Sequence, residues 1–551
     1  MNSKSLPLIL VSFLLVGCLG QSQPLSTLSP TPVNNPPIAD FTYSWTGGDK
    51  DQPWTCSKIT FEAEVSDPDG DSLTLYWHDN GKRIPNALGE PEFSTKLYPD
   101  GIHTIKLMVM DSRGAQTFVE KQINVKYEVP EPVPVKNKNG LNIASIYVSS
   151  GVEPETHPDL SWSMSQYTPL LGSYDLTNPV TVDWHIKWAL EHGINTLWIV
   201  VAPHGNPPTE AGKGSYMIYF KDGFLNAKYK NRIKFNVIFD TRLYNPYDEG
   251  MDKEYGSNES VEKDIKILSK YYFNDPNYRK INGKPILFLY ATHMYLCGNC
   301  KKKKEREELL KSHVKSMRET AKKNGYELFL VGDVREYEKN DEFLISIFDA
   351  LTSYNLRNAL DEEKYKSTTD EKGFPVLIAP YDNMVTFAIE REKRLSRLTK
   401  EKGKIYISSL TQGWSDEKRY NAKAIDFLTT ITNPTPEKYL EFLKGVESLI
   451  EPKTNMLVTT WNEFMEGNAI EPTREFGFAY LDIIRDNFAI KPAGGWPPNI
   501  VPTKNCGCAE YKNWNVEIGM PPPLILVLIG AENEIISLAL LKGRKVNYSS
   551  I

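Results

Sequence analysis

The stretch Asn455-Met456-Leu457-Val458-Thr459-Thr460-Trp461-Asn462-Glu463-Phe464-Met465-Glu466-Gly467 opens as an apolar, β-branched run and closes on two carboxylates. Its first half reads as a parallel strand covered on both faces. Seven earlier runs share that character, at 142–148, 196–201, 234–239, 285–290, 327–331, 350–353 and 404–408. Segments with helical periodicity lie between them, at 182–192, 260–272, 305–324 and 436–450. Eight strand-then-helix units within residues 140–490 predict an α/β fold, a (β/α)8 TIM barrel. A doubly wound sheet is the rival, but no Gly-rich phosphate loop follows the first run.

In a (β/α)8 barrel, chemistry sits where strands end. The strand exits carry His204; Asp240 and Arg242; Tyr290, approaching His293; Asp333 and Arg335; Tyr354 and Asn355; Gln412 and Trp414; and finally Trp461, Asn462, Glu463, Glu466 and Glu471. Carboxylates, amides, Tyr and Trp without a metal-ligand spacing suit a sugar: aromatic faces stack on pyranose rings and polar groups bond hydroxyls. For any single one of these residues a structural role is an equal alternative. Glu463 and Glu466 stand apart, because residues three apart share a face of a helical turn. Two carboxylates in a dry cleft resist ionising together, which makes an acid/base pair. The plainer alternative is a solvated acidic loop.

Before the barrel, residues 37–127 alternate with period two. Turn signals at Asp67-Pro68-Asp69-Gly70-Asp71 and Pro99-Asp100-Gly101 break that alternation, and the pattern predicts an all-β sandwich. Asn35-Pro36-Pro37-Ile38-Ala39-Asp40-Phe41, the Asp67–Asp71 turn, Tyr76-Trp77 and Tyr98-Pro99-Asp100-Gly101 resemble a PKD domain. That resemblance implies an immunoglobulin-like spacer or adhesion module. Asp67, Asp69 and Asp71 could ligate Ca2+, but a solvated turn is the expectation. Residues 128–139, with alternating Pro, read as an extended linker.

Residues 1–17 read as an export signal: Lys4, then an apolar run too short to span a bilayer. Leu15-Val16-Gly17-Cys18 resembles a lipobox, which implies lipidation of Cys18. The alternative is a plain secretory signal. Residues 18–36 are Ser-, Thr- and Pro-rich, as a tether should be. The expected place is extracytoplasmic, anchored to the membrane through Cys18. Lys plus Arg number 64 against 70 Asp plus Glu, a net charge of −6, which disfavours nucleic acid as a partner. The 40% hydrophobic fraction is that of a globular chain. Besides Cys18 there are Cys56, Cys297, Cys300, Cys506 and Cys508; disulfides are expected, Cys297 and Cys300 pairing with each other or with Cys506 and Cys508, with structural Zn2+ or free thiols the alternatives. No cofactor is expected. The extension 491–551 holds two apolar runs separated by Glu532-Asn533-Glu534, so a packed helix or hairpin is expected rather than a membrane span.

Asn462-Glu463-Phe464-Met465-Glu466-Gly467 with Ile470-Glu471-Pro472 resembles the Asn-Glu-Trp-Gly-Glu-Gly…Glu-Pro signature of glycoside hydrolase family 99 and the related WbsX-type proteins. Pro169–Asp175, Ala189–Ile194, Asp275–Tyr278 with Asn282–Pro285, and Tyr406–Trp414 extend the resemblance in order. It implies an endo-acting, retaining α-mannosidase-type hydrolase working on an oligo- or polysaccharide. It also implies roles: Glu463 deprotonates the substrate 2-hydroxyl, which displaces the leaving group as a 1,2-anhydro sugar, and Glu466 is the general acid/base. An ordinary carboxylate nucleophile is the alternative. Phe464 and Met465 replace the usual Trp and Gly, and the bulk of Met465 is expected to reshape the cleft. The rival functions are a non-catalytic glycan-binding or adhesion lipoprotein and a polysaccharide-processing protein.

Overall fold

The computed structural model describes residues 33–45, 58–84, 87–96, 101–125, 129–148, 162–172, 174, 176–201, 219–241, 257–292, 295–296, 303–334, 338–354, 368–451, 455–502, 511–513, 525–529 and 535–540. Cys18 and the other five cysteines lie outside them.

The N-terminal sandwich has two sheets. One pairs Ile38–Trp45, Lys58–Ser66 and Glu92–Lys96, and the other runs in the order Lys82–Arg83, Leu73–Asp79, Gly101–Asp111, Gln116–Val125. The inward residues of the period-two pattern form its core: Phe41, Trp77, Ile105, Leu107 and Val109 are fully buried. Phe41 meets Trp77 edge-on at 5.2 Å, and the Trp77 indole N–H donates to the Glu90 carbonyl at 3.0 Å. In the turn, Asp67 Oδ1 accepts from the backbone N–H groups of Asp69 and Asp71 at 2.8 and 3.1 Å. The carboxylates of Asp67, Asp69 and Asp71 cluster, and the Arg113 guanidinium sits on Asp69 and Asp71 at 2.8 and 2.6 Å.

The second unit is the barrel. Its first six strands are Asn142–Tyr147, Thr196–Val200, Lys234–Asp240, Lys284–Tyr290, Phe329–Asp333 and Ala350–Thr352, each parallel to the next. Asn455–Thr459 is the eighth and pairs with the first. The seventh comes in two pieces. Ile405–Tyr406 bonds the sixth strand, and Ser409–Thr411 bonds the eighth. Ile407 N–H still donates to the Leu351 carbonyl, and Leu457 N–H to the Ser408 carbonyl, both at 2.9 Å. The ring of staves is therefore closed, with its kink at residues 407–408. All six residues of the first strand and all five of the fifth are buried, as their unbroken apolar character requires.

Glu392, on the helix Tyr381–Glu401, braces the kink from outside. Its carboxylate accepts from the Tyr406 hydroxyl at 2.6 Å and from Ser409 N–H at 3.1 Å. Burial pushes this carboxyl above the usual carboxylate range, although Arg391, the Tyr406 hydroxyl and the Ser409 amide pull it down. A raised native value means the folded state holds the proton more tightly. The stability Glu392 contributes is then full below the unfolded carboxyl value of about 4.3 and is lost as pH rises through the native value. Glu392→Gln should gain on the wild type in Tm as pH climbs from about 4 to 7; parallel Tm curves would contradict this.

Two parts of the barrel unit differ from expectation. From Val129 onward the Pro-rich segment lies on the barrel rather than standing free: Tyr229 donates its hydroxyl to the Val129 carbonyl at 2.7 Å, and Val133 N–H donates to Glu191 at 3.0 Å. Lys136–Asn137 pairs antiparallel with Ala489–Ile490. This cover buries every residue of the first barrel helix, Pro179–Glu191, including its charged Asp183, Lys187 and Glu191. Lys187 pairs with Glu191, and Asp183 accepts from Tyr229 N–H at 2.8 Å, so none of these charges is left alone. The second difference is an extra sheet of Thr368–Thr369, Pro375–Pro380 and Leu428–Thr432, inserted around the seventh strand.

In the C-terminal extension, Ile525–Ile529 and Ile535–Leu540 pair as an antiparallel hairpin, which decides between the two expected forms. No helix among the described residues is long and apolar enough to cross a membrane.

Candidate active site

Just past the eighth strand the chain makes a tight hairpin. Asn462–Glu463 pairs antiparallel with Asn468–Ala469, and the turn between them is the short 3-10 segment Phe464–Glu466. Gly467 closes it in the left-handed conformation at φ 57°, where a side chain would be strained and would crowd Gln166 and the Ser415 amide. The two candidate carboxylates thus bracket one helical turn at a barrel mouth, and both are partly exposed.

Several backbone groups of this hairpin are anchored by neighbouring segments. Glu463 N–H donates to Thr460 Oγ1 at 2.8 Å, Gln166 N–H to the Phe464 carbonyl at 2.9 Å, and Ser415 N–H to the Glu466 carbonyl at 2.7 Å. Gln412 donates its amide to the Gly467 and Ala469 carbonyls at 2.8 and 3.0 Å, and Thr411 donates to Asn468 at 2.7 Å. Asn462 spans to the end of the first strand. It accepts from Val148 N–H and donates to the Val148 carbonyl, each at 3.0 Å.

Beneath lies a buried polar chain. Asn462 Nδ2 reaches the Tyr174 hydroxyl at 3.3 Å; Tyr174 donates to Glu471 Oε2 at 2.6 Å; His185 Nε2 lies 3.2 Å from Glu471 Oε1; and His185 Nδ1 meets the Tyr147 hydroxyl at 2.8 Å. Every member is at least nine-tenths buried. Burial holds the hydroxyls of Tyr147 and Tyr174 far above the ordinary tyrosine range, and the Glu471 charge adds to this. Both therefore stay neutral donors or acceptors at any working pH.

These placements correct several expected sugar contacts. Trp461 is fully buried, with its ring 5.6 Å from His185, and offers no face to a ligand. Asn462, Gln412 and Glu471 are spent on the hairpin and the chain below it. Trp414 is buried, and its indole N–H donates to Asp416 at 2.9 Å. Asp333 is fully buried and accepts from the amides of Ala291 and Tyr354, both at 3.1 Å. Asp240 is buried too. All of these side chains are buried rather than lining an open surface. Tyr290 and Tyr354 meet edge-on at 4.8 Å, and the Tyr354 hydroxyl donates to Glu466 Oε2 at 3.4 Å. His204, Arg242, His293, Arg335 and Asn355 lie outside the described residues. The bulk of Met465 lies beneath the turn. Met465 and Phe464 are both buried, and Phe464 packs against Trp162 at 5.9 Å.

One group absent from the strand-exit inventory reaches the pair. Arg419, on the short helix Glu417–Asn421, has Nη1 3.4 Å from Glu466 Oε1 and 3.4 Å from Asp416 Oδ1. Its signal was weak, since it sits seven residues beyond Gln412 and belongs to no strand end.

The family model described as Glycosyltransferase WbsX matches residues 246–484, which include the carboxylate hairpin and bear out the resemblance read from the sequence. Among solved structures, the chain is similar to the GH99 endo-alpha-mannosidase from Bacteroides thetaiotaomicron, at 18% identity over 63% of this chain and 96% of that one, TM-score 0.40. It is similar to a glycoside hydrolase-like protein at 17% identity over 66% of this chain and 98% of that one, TM-score 0.45. It also resembles the PKD1 domain of Vibrio anguillarum Epp at 21% identity over 17% of this chain and all of that one, TM-score 0.14. No curated protein matches the chain.

Proposed function

We propose that this protein is a glycoside hydrolase acting on α-mannose-containing or related glycans. The observation that carries the reading is the hairpin 462–469, which holds Glu463 and Glu466 on one turn at a barrel-strand exit. The proposed cleavage is endo-acting and retaining. Glu463 takes the proton of the substrate 2-hydroxyl, whose oxygen bonds C1 as the C1–leaving-oxygen bond breaks. Glu466 gives its proton to that leaving oxygen, then takes one from the water that opens the anhydro ring at C1, while Glu463 returns its proton to O2 as the C1–O2 bond breaks. Net, one water is added across the glycosidic bond. A carboxylate nucleophile would instead need the two carboxyls about 5–5.5 Å apart. The export signal, lipidated Cys18, extracytoplasmic placement and glycan partner belong to the same proposal.

The glycosyltransferase description of the matching family model favours a second reading, in which a sugar hydroxyl rather than water accepts the glycosyl group. Incubation with α-mannans and glucosylated mannose oligosaccharides tests both. Hydrolysis releases a short oligosaccharide that appears first as the α-anomer by 1H NMR. Lengthened products without new reducing ends would favour transfer, and glycan binding with no product would favour the non-catalytic rival.

A further inference from the structure

Glu466 is held from a direction that no strand end supplies. The extra sheet organises it. Ile431 N–H donates to the Trp414 carbonyl at 2.8 Å, Asp416 N–H donates to the Thr429 carbonyl at 2.9 Å, and Ser415 bridges Thr430. Asp416 is thereby fixed with its side chain fully buried, one oxygen taken by the Trp414 indole. A buried carboxylate is stabilised by a cation, and the Arg419 guanidinium lies 3.4 Å from Asp416 Oδ1. The same Nη1 faces Glu466 Oε1, while the Tyr354 hydroxyl donates to Glu466 Oε2. Both carboxylate oxygens of Glu466 therefore accept from donors, as an ionised carboxylate does. Arg419 Nε is buried and has no partner, so the guanidinium is oriented by these two acids alone among the described residues.

We propose that Arg419 is a positioning residue of the carboxylate site: its guanidinium, aimed by Asp416, orients Glu466 and favours its charged form. The charged and titratable groups placed around Glu466 include Arg419 on the short helix Glu417–Asn421 and Asp416 just before it, Tyr354 from the sixth-strand exit, and Glu463 on its own hairpin. Asp416 and Glu463 oppose the arginine. Arg419 is in direct contact with Glu466 at 3.4 Å, where its attraction is strongest. This rests on the reading above for its consequence only. An acid that must be protonated to act loses activity as pH rises through its midpoint, so removing the arginine is expected to carry that fall to higher pH.

The test needs no substrate. In protein labelled at the glutamate side-chain carboxyl with 13C, the Glu466 resonance is assigned by its loss in Glu466→Gln and titrated. In Arg419→Met, or in Arg419→Gln should the first not fold, the Glu466 midpoint should rise by about one to three pH units. In Arg419→Lys, which keeps the charge, it should stay near the wild-type value. An unchanged midpoint in the neutral variants overturns the proposal, whatever happens to activity. A raised midpoint upholds it. If Glu466→Gln then cleaves glycan as fast as the wild type, the pairing stands and the catalytic reading of Glu466 falls. If both hold, the high-pH fall of kcat/KM moves upward in Arg419→Met by the same interval.

Discussion

Glu466→Gln should lose glycan cleavage by about 10^2–10^4-fold in kcat, the range supplied by a positioned general acid, with little change in KM. Gln keeps the shape, its amide oxygen can still accept from Arg419 and its NH2 can donate to the Tyr354 hydroxyl oxygen, so the hairpin and Tm should survive. Glu463→Gln should show a loss of similar size, and the double variant should be little worse than either, because the two groups act as a unit. Steady-state kinetics with a defined oligosaccharide read this directly. A variant retaining more than a tenth of wild-type kcat would place the chemistry elsewhere.

The second large effect falls on stability. Glu471→Ala strips the acceptor from the Tyr174 hydroxyl and removes the carboxylate 3.2 Å from His185 Nε2, both residues being at most 1% exposed. Leaving a buried donor without its acceptor costs about 1–3 kcal/mol, and the space vacated by the side chain adds to this. A Tm drop on the order of 5–10 °C should follow for a unit this large. Activity should fall with it, since Asn462 loses the Tyr174 support that sets the hairpin against the first strand. Glu471→Gln keeps an acceptor for Tyr174 and should lose less. A Glu471→Ala protein with wild-type Tm would mean the chain of Tyr147, His185, Glu471 and Tyr174 does not brace the site.

The barrel was legible because parallel strands buried on both faces are continuous apolar runs, and seven of the eight were read to within two residues of their ends. The seventh was harder. Its run continues through Thr411, but the strand changes partner at residues 407–408, a tertiary event that no local pattern announces. Pro375–Pro380 and Leu428–Thr432 were missed for a related reason. They are short, one is bounded by Pro, and they pair with each other across an intervening barrel strand. The Pro-rich segment kept the extended form its composition implies, but composition does not say what an extended segment lies against.

At the site, strand-exit position identified residues of the right neighbourhood without separating those that face the mouth from those sealed below it. Trp461 and Glu463 are two residues apart, yet one is fully buried and the other reachable. Trp414 was read as a stacking platform because Trp often is one; here its indole N–H is needed by a buried Asp416. Arg419 shows the opposite failure, because a short helix held by an inserted sheet delivers it.

The central claim is that Glu463 and Glu466 make this barrel a glycoside hydrolase. The most direct measurement is cleavage of an α-mannan in H2(18)O, with mass spectrometry of the released oligosaccharide. The account predicts 18O at the new reducing end with wild-type protein and none above background with Glu466→Gln. Release without 18O, or equal labelling by the variant, would contradict it.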